Sequence, residues 1–295
     1  MTDPLLGCVT AGTDREAVAA WSRWRSATDI DAIAWRDTLL VPMIPAARRS
    51  LLQEGDPAAP ILTGIVRRAW TQGAVFAALA RSIVGTLHAA GVGPVMIGGS
   101  TAAFLLGRDD GAVRPPTETT LFLPRRHVDG AVEILLRDRW EPRPPMPPRS
   151  ARSWASGLML DRGAESLRIA WRHVVPPPWR SAHAERMLFS QRGESLPVET
   201  LLLSRLAPDA GWDDIIPWQA DVAYLSALPL DWESVFRAAS ILVPAVADRL
   251  GEARGVIPGV PRPSRAASPM MRFEDVVSRV FRSTVRCARR IAGHS

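Results

Sequence analysis

Apolar residues recur at helical spacing through most of the first 90 residues of the chain. In the segment 61–90 they occupy positions 61, 62, 65, 66, 69, 76, 79, 83, 84 and 87, which form one face of a helix. A shorter periodicity, interrupted by two prolines, runs through 14–52. Gly91 and Gly93 are the expected end of the long helix, because glycine adopts the left-handed conformation that closes a helix. The pattern therefore predicts an N-terminal helical region over residues 1–90.

Three tryptophans, Trp21, Trp24 and Trp35, stand near helical spacing in the first part of this region. Indole rings at such spacing either pack between helices or form an aromatic box for a ligand. The sequence favours packing for all three, because large aromatic side chains usually bury most of their surface in a folded protein.

A different pattern follows the long helix. A short apolar run, 95–97, meets a GGS turn at 98–100, and residues 101–106 have helical character. A polar connection that contains glycine and proline then leads to a second apolar run, 121–123. This order predicts a strand, a tight turn, a helix and a second strand.

Two further strands are predicted at 157–160 and 167–174, on either side of a turn at 161–163. The expected fold class is therefore α/β (α+β), with a small mixed sheet within residues 91–180. Helical spacing returns over 181–250, so the sheet is expected to be flanked by N-terminal and C-terminal helices.

The last segment, 251–295, is predicted to begin as a Pro- and Arg-rich linker and to end in a basic amphipathic helix over 272–291. Two roles for that helix stay open. Its arginines contact an acidic partner, whether a protein, a nucleic acid or an anionic membrane surface. Alternatively, its apolar face packs on its own domain and leaves the arginines in solvent.

Charge narrows the classes of function. All 36 basic residues are arginine, and the net charge of +6 equals that of the segment 251–295, which holds nine Arg against three acids. The rest of the chain is nearly neutral, which argues against a strong nucleic-acid-binding surface on its body. No apolar run is long enough for a transmembrane segment, and a cytoplasmic location is the default expectation.

The turn Gly98-Gly99-Ser100 is the first candidate for chemistry. Glycines allow backbone N–H groups to approach a phosphate closely, and the start of the following helix adds a partial positive charge. The same turn also serves as a tight strand-to-helix connection without a ligand. Both interpretations stay open on the sequence alone.

The second strand region, residues 114–123, reads RPPTETTLFL. Together with the preceding strand and the GGS turn, it resembles the DNA polymerase β-like nucleotidyltransferase superfamily. The whole chain is most similar to an uncharacterised bacterial nucleotidyltransferase family that has helices on both sides of its core. The family pattern at this strand is R-P-x-x-D-x-D-L-L-V, so Glu118 and Thr120 stand at its two Asp positions.

A later strand carries the third position of the resemblance. The family has an Asp there, in a pattern like D-L-H-W-R, and the similar residues 168–172 read RIAWR. Arg168 therefore stands where a third carboxylate is expected. An arginine at this position either binds phosphate directly or pairs with Glu118 in a structural salt bridge.

The resemblance implies transfer of a nucleotidyl group from an NTP to an unknown small-molecule or peptide acceptor, with Mg²⁺ held by carboxylates. It also implies a nucleotide-binding site formed by Gly98, Gly99, Ser100, Arg114, Thr120 and Arg168. Glu118 is the remaining candidate for catalysis and for metal binding, and an exposed structural Glu at a strand start is the alternative. Because Thr120 is a poor ligand, Mg²⁺ is expected to bind weakly or not at all.

The sequence therefore leaves two functions of different classes open. The first is an active nucleotidyltransferase. The second is a non-catalytic pseudoenzyme, a nucleotide-binding or protein-interaction scaffold, for which the resemblance implies a link to peptide natural-product biosynthesis. Because the family's carboxylates are lost, the mechanism favours the non-catalytic pseudoenzyme.

Overall fold

A five-stranded mixed sheet lies at the centre of the chain in the computed structural model. Its strands are β1 (Met96–Gly98), β2 (Thr119–Phe122), β3 (Glu141–Pro142), β4 (Gly157–Arg162) and β5 (Glu165–Ala170). They lie in the order β1-β2-β5-β4-β3. The structure describes residues 3–107, 111–144, 157–171, 194–207, 215–241, 244–257 and 260–261. The predicted α/β class, a small mixed sheet with flanking helices, is confirmed.

The first two strands of the sequence pair directly with each other. Strand β1 runs antiparallel to β2, with Ile97 opposite Leu121, and β2 runs parallel to β5, with Leu121 opposite Ile169. Strands β4 and β5 form an antiparallel hairpin around Gly163, which has a positive φ of 59°. A side chain would be strained in that conformation, which accounts for the glycine in the turn.

The outer edge of β1 is covered by the segment that leads into the C-terminal helices. The Ile97 N–H donates to the Glu194 carbonyl, and the Ile97 carbonyl accepts from the Leu196 N–H, both at 2.8 Å. This parallel bridge brings the chain back to the sheet before the last helices begin.

Five α-helices precede the sheet. They are α1 (Pro4–Thr10), α2 (Asp14–Ala27), α3 (Trp35–Leu40), α4 (Ala46–Gln53) and α5 (Ala59–Ala89). Helix α2 begins with a capping box in which the Thr13 hydroxyl accepts from the Glu16 N–H and the Glu16 carboxylate accepts in return. Helix α5 ends at Ala89, and Gly91 follows with a φ of 77°. The predicted helix end at this glycine is confirmed.

Helix α5 packs through small residues on the helix that follows β1. Among its buried positions are Ala69, Gly73 and Ala77. A Cβ built on Gly73 would lie 2.3 Å from the ring of Phe104, so the glycine is what lets this aromatic side chain lie against the helix. No helix in the described ranges, α5 included, is long and apolar enough to cross a bilayer.

In the described ranges, the sheet is followed or interrupted by the α-helices α6 (Gly99–Gly107), α7 (Val128–Arg137), α8 (Val198–Leu206), α9 (Trp218–Ser226), α10 (Trp232–Ile241) and α11 (Pro244–Val256). The predicted start of the linker at residue 251 is wrong, because residues 251–256 form the C-terminal end of helix α11. Its Val246, Leu250 and Ala253 recur at helical spacing and are buried. The two glycines in this stretch suggested a linker but do not interrupt the helix.

Two sequence-based expectations fall on residues that are not described. The basic helix over 272–291, with its acidic partner, lies outside the described residues. Residues 172–174, the end of the predicted fourth strand, also lie outside them, and the described part of that strand ends at Ala170.

Buried hydrophobic side chains of the N-terminal helices, the sheet and the C-terminal helices form one continuous cluster. Trp21 and Trp24 belong to it, with their ring centroids 4.8 Å apart, so packing is confirmed for them. For Trp35 it is wrong, because the residue is 59% exposed. Helix α3 has only six residues and buries Leu39 and Leu40 in its second turn, while Trp35 stands at its first position.

Candidate functional site

The strand register brings three of the predicted site residues into one row. Gly98 on β1 lies opposite Thr120 on β2, and Thr120 lies opposite Arg168 on β5. Residues directly opposite each other in a sheet project to the same face. Glu118 comes two positions before Thr120, at the entrance to β2, and completes the group.

Glu118 and Arg168 form a two-point ion pair. The Nε atom of Arg168 lies 2.6 Å from Oε1 of Glu118, and Nη2 lies 3.3 Å from Oε2. The Thr120 hydroxyl also donates to Oε1, at 3.4 Å. Of the two roles considered for Arg168, the structure contains the salt bridge. Such forked pairing fixes the orientation of both side chains.

The ion pair is accessible from one side. The Glu118 side chain is 11% exposed, whereas a quarter of the Arg168 side chain faces solvent. Within the described residues, Nε and Nη2 of Arg168 are bound to Glu118 and Nη1 has no hydrogen-bond partner. An incoming anion would therefore meet the guanidinium before the carboxylate.

The two glycines of the turn have a packing explanation. A Cβ on Gly98 would lie 2.2 Å from the ring of Phe122. Gly99 has a φ of 57°, and a Cβ there would lie 2.8 Å from the Thr120 hydroxyl. Both positions therefore require glycine whether or not a ligand binds, and the turn passes directly beside Thr120.

The first turn of α6 is attached to the site strand. The Thr101 hydroxyl donates to the Glu118 carbonyl at 2.9 Å, and both atoms are buried. The neighbouring Ser100 hydroxyl is also buried and has no hydrogen-bond partner among the described residues. A buried polar group without a partner is uncommon and is explained by strain, an unseen water or a ligand. Within the described residues, Ser100 is thus a buried polar group of the turn without a partner.

Arg114 binds a buried carboxylate of the C-terminal helices. Its side chain has no exposed surface, and its Nε atom lies 2.9 Å from Asp221 on α9. Arg205 on α8 binds the same carboxylate at 2.6 Å. In this structure the predicted nucleotide-binding arginine instead joins the segment before Glu118 to two C-terminal helices.

The sequence did not predict a second ionic group, Arg143 with Asp161, on the same face of the sheet. The Arg143 guanidinium binds both carboxylate oxygens of Asp161, at 2.8 and 2.6 Å, and Nη2 also donates to Ser166 at 2.9 Å. Hydrogen bonding to Asp161 raises the pKa of Arg143, and the charge of Glu118 adds to that effect. The Arg143 bond lowers the pKa of Asp161.

Arg143 follows β3, a two-residue edge strand in a Pro- and Arg-rich segment. Its N–H donates to the Met159 carbonyl at 3.0 Å, which attaches it to β4 beside Arg168, since Met159 and Arg168 are paired. A two-residue strand containing Pro142 has no periodicity from which it can be predicted.

The side chains of the row do not suit a pair of magnesium ions. Magnesium prefers oxygen ligands, usually carboxylates. Here Glu118 is the one carboxylate of the row, it is paired with Arg168, and Thr120 is neutral. Within the described residues, no group of three or more His, Cys, Asp or Glu side chains is arranged to hold a metal ion.

No protein-family model matches this chain, and no curated protein or solved structure matches it either. The functional interpretation therefore depends on the residues and their geometry.

Proposed function

We propose that this protein binds a nucleotide through its phosphates on a nucleotidyltransferase-like sheet and does not transfer the nucleotidyl group. The observation that carries the proposal is the two-point ion pair between Glu118 and Arg168, at 2.6 and 3.3 Å, where the resembled family has carboxylates. By the resemblance, the guanidinium of Arg168 stands at the position of a metal-binding carboxylate.

Catalysis by the mechanism of the nucleotidyltransferase family needs two metal ions that hold the phosphates and activate the acceptor oxygen. One carboxylate already neutralised by arginine is a weak ligand set for that purpose. Thr120 contributes a hydroxyl that donates to Glu118 rather than a second negative charge. This chemistry supports the pseudoenzyme over the active transferase.

Binding of phosphate is supported by what surrounds the pair. Arginine recognises phosphate through a planar fork of N–H donors, and one Arg168 nitrogen has no partner within the described residues. The helix α6 begins beside it, and a helix start favours a bound anion. In the first turn of that helix, the buried Ser100 hydroxyl has no hydrogen-bond partner among the described residues. In this arrangement a positive side chain does part of the work of a metal ion.

Calorimetric titration with ATP, GTP, CTP and UTP, each with Mg²⁺ and with EDTA, tests the proposal. We expect at least one NTP to bind equally well in both buffers, because the guanidinium replaces the metal. Arg168→Gln should weaken binding at least about tenfold, which corresponds to about 1.4 kcal/mol. The matched control is Arg162→Gln, since Arg162 is paired with Asp138 and Glu165 away from the row.

Arg168→Gln also leaves Glu118 without its partner, so the double variant Glu118→Gln/Arg168→Gln separates folding from binding. It should recover the melting temperature but not the nucleotide affinity. Mg²⁺-dependent release of pyrophosphate that is abolished in Glu118→Gln would defeat the non-catalytic proposal. If no NTP binds to the folded protein, the protein-interaction scaffold takes its place.

A further inference from the structure

A cavity of about 220 Å³ lies between α3 and α5, next to the segment that precedes β2. Leu39 and Ala69 are among the apolar residues of its wall, and Arg68, Gln72 and Thr117 supply polar groups. Ligand pockets are commonly apolar with a few polar groups that orient the ligand, and their volumes are roughly 300–1,000 Å³. The mixed lining matches that description, and the modest volume restricts the occupant to a small molecule.

Trp35 forms part of this cavity and is 59% exposed. It makes no ring-to-ring contact with another aromatic residue in the described part of the chain. Trp21 and Trp24, in contrast, are both buried in the core. An indole that contributes this little to the core and borders a cavity offers a flat apolar face for a ring.

Arg68 and Gln72 lie one helical turn apart on α5, and both line the cavity. Arg68 is exposed and, within the described residues, forms no ion pair. The cavity therefore combines a positively charged side chain, an amide and an aromatic face. A cation beside an aromatic wall selects a ligand that is both flat and negatively charged.

We propose that this cavity binds a small planar aromatic anion, with its ring against Trp35 and its acidic group at Arg68. Gln72 is placed to hydrogen-bond the same acidic group, one turn along the helix. This site shares no residue with the Glu118–Arg168 row, so it is a second ligand site and does not depend on the nucleotide proposal.

Calorimetry with indole-3-carboxylate as the probe tests the site. Two analogues divide the recognition into its parts: indole-3-carboxamide keeps the ring without the charge, and cyclohexanecarboxylate keeps the charge without the flat ring. We expect each analogue to bind at least about tenfold more weakly than the probe, because each loses one of the two contacts.

Variants assign the contacts to residues. Trp35→Ala and Arg68→Gln should each weaken probe binding at least about tenfold. Trp70→Ala and Arg67→Gln are matched controls, since both residues lie exposed on α5 but do not line the cavity. They should leave the affinity unchanged. All four residues are exposed, so the variants are expected to fold, and the far-ultraviolet circular dichroism spectrum checks this.

Three outcomes overturn the proposal. The first is no binding of indole-3-carboxylate at millimolar concentration. The second is equal loss of affinity in the control variants, which indicates general adsorption to the helix. The third is equal binding of the probe and both analogues. None of these outcomes affects the ATP titration at Arg168, so the two proposals fail independently.

Discussion

Replacing Asp221 by asparagine should destabilise the protein strongly. Asp221 is fully buried on α9 and binds two arginines, Arg114 at 2.9 Å and Arg205 at 2.6 Å. Arg114 is equally buried. The substitution keeps the size of the side chain and removes its charge, so both guanidinium groups lose their shared carboxylate inside the protein.

The magnitude follows from the cost of leaving a buried charge uncompensated. Removing one partner of a buried ion pair typically costs about 3–5 kcal/mol. With about 2–4 °C per kcal/mol for a chain of this size class, the melting temperature should fall by roughly 6–20 °C. That loss is a large part of the roughly 5–15 kcal/mol by which folded proteins are stable.

Urea denaturation followed by circular dichroism measures the change directly. Asp138→Asn is the matched control, because its ion pair with Arg162 at 2.7 Å is largely exposed. Exposed pairs contribute about 0–1 kcal/mol, so this variant should behave almost like the parent. If both substitutions change the unfolding free energy equally, the buried Asp221 carboxylate contributes no more to stability than an exposed ion pair does.

Three further predictions concern acid stability, thiol reactivity and the glycine turn. The hydrogen bond from Arg25 lowers the pKa of Asp56 below its ordinary value. The ionised Asp56 carboxylate therefore contributes fully to stability above the unfolded pKa of about 3.9, and this contribution is lost as the pH falls through the lower pKa of the folded state. The difference in melting temperature between the parent and Asp56→Asn should therefore shrink in strong acid, and a difference constant from pH 7 to pH 2 would contradict this. Burial raises the pKa of the Cys8 thiol to about 12, so iodoacetamide at pH 7 should modify Cys8 only when urea unfolds the protein, as read by peptide mass spectrometry; rapid labelling of the native protein would show an accessible thiolate. Gly99→Ala should cost about 1–3 kcal/mol from backbone strain, and more from contact with the Thr120 hydroxyl. Gly163 has a similar φ but open space around it, so Gly163→Ala measures the backbone strain alone. Equal losses of stability in the two variants would show that contact with the Thr120 hydroxyl adds nothing.

Residue patterns predicted the positions of the candidate site but not the contacts within it. Glu118 and Arg168 are 50 residues apart, and the resemblance placed both at positions expected to meet in one site. Which of two roles Arg168 plays was left open, because its contacts depend on the register between β2 and β5. The structure pairs it with Glu118, since the parallel register sets Arg168 beside Thr120, two residues from the carboxylate.

The sequence by itself determined the order of β1, the glycine turn, α6 and β2, the presence of the β4–β5 hairpin, and the extent of α5. Hydrophobic spacing and glycine turns are local properties, and they act over a few residues. The residues that make Gly91 end α5 or make β1 turn into α6 are adjacent in the chain, so no distant contact was needed to predict them.

Only the tertiary structure decided the partners of Arg114, the attachment of Arg143 and the exposure of Trp35. Arg114 and Asp221 are 107 residues apart, and nothing in the spacing of either residue selects the other. Helical periodicity identifies which face of a helix is apolar, but it does not say what covers that face or leaves it open. Those choices belong to packing, because the burial of each side chain depends on elements brought together from the whole chain.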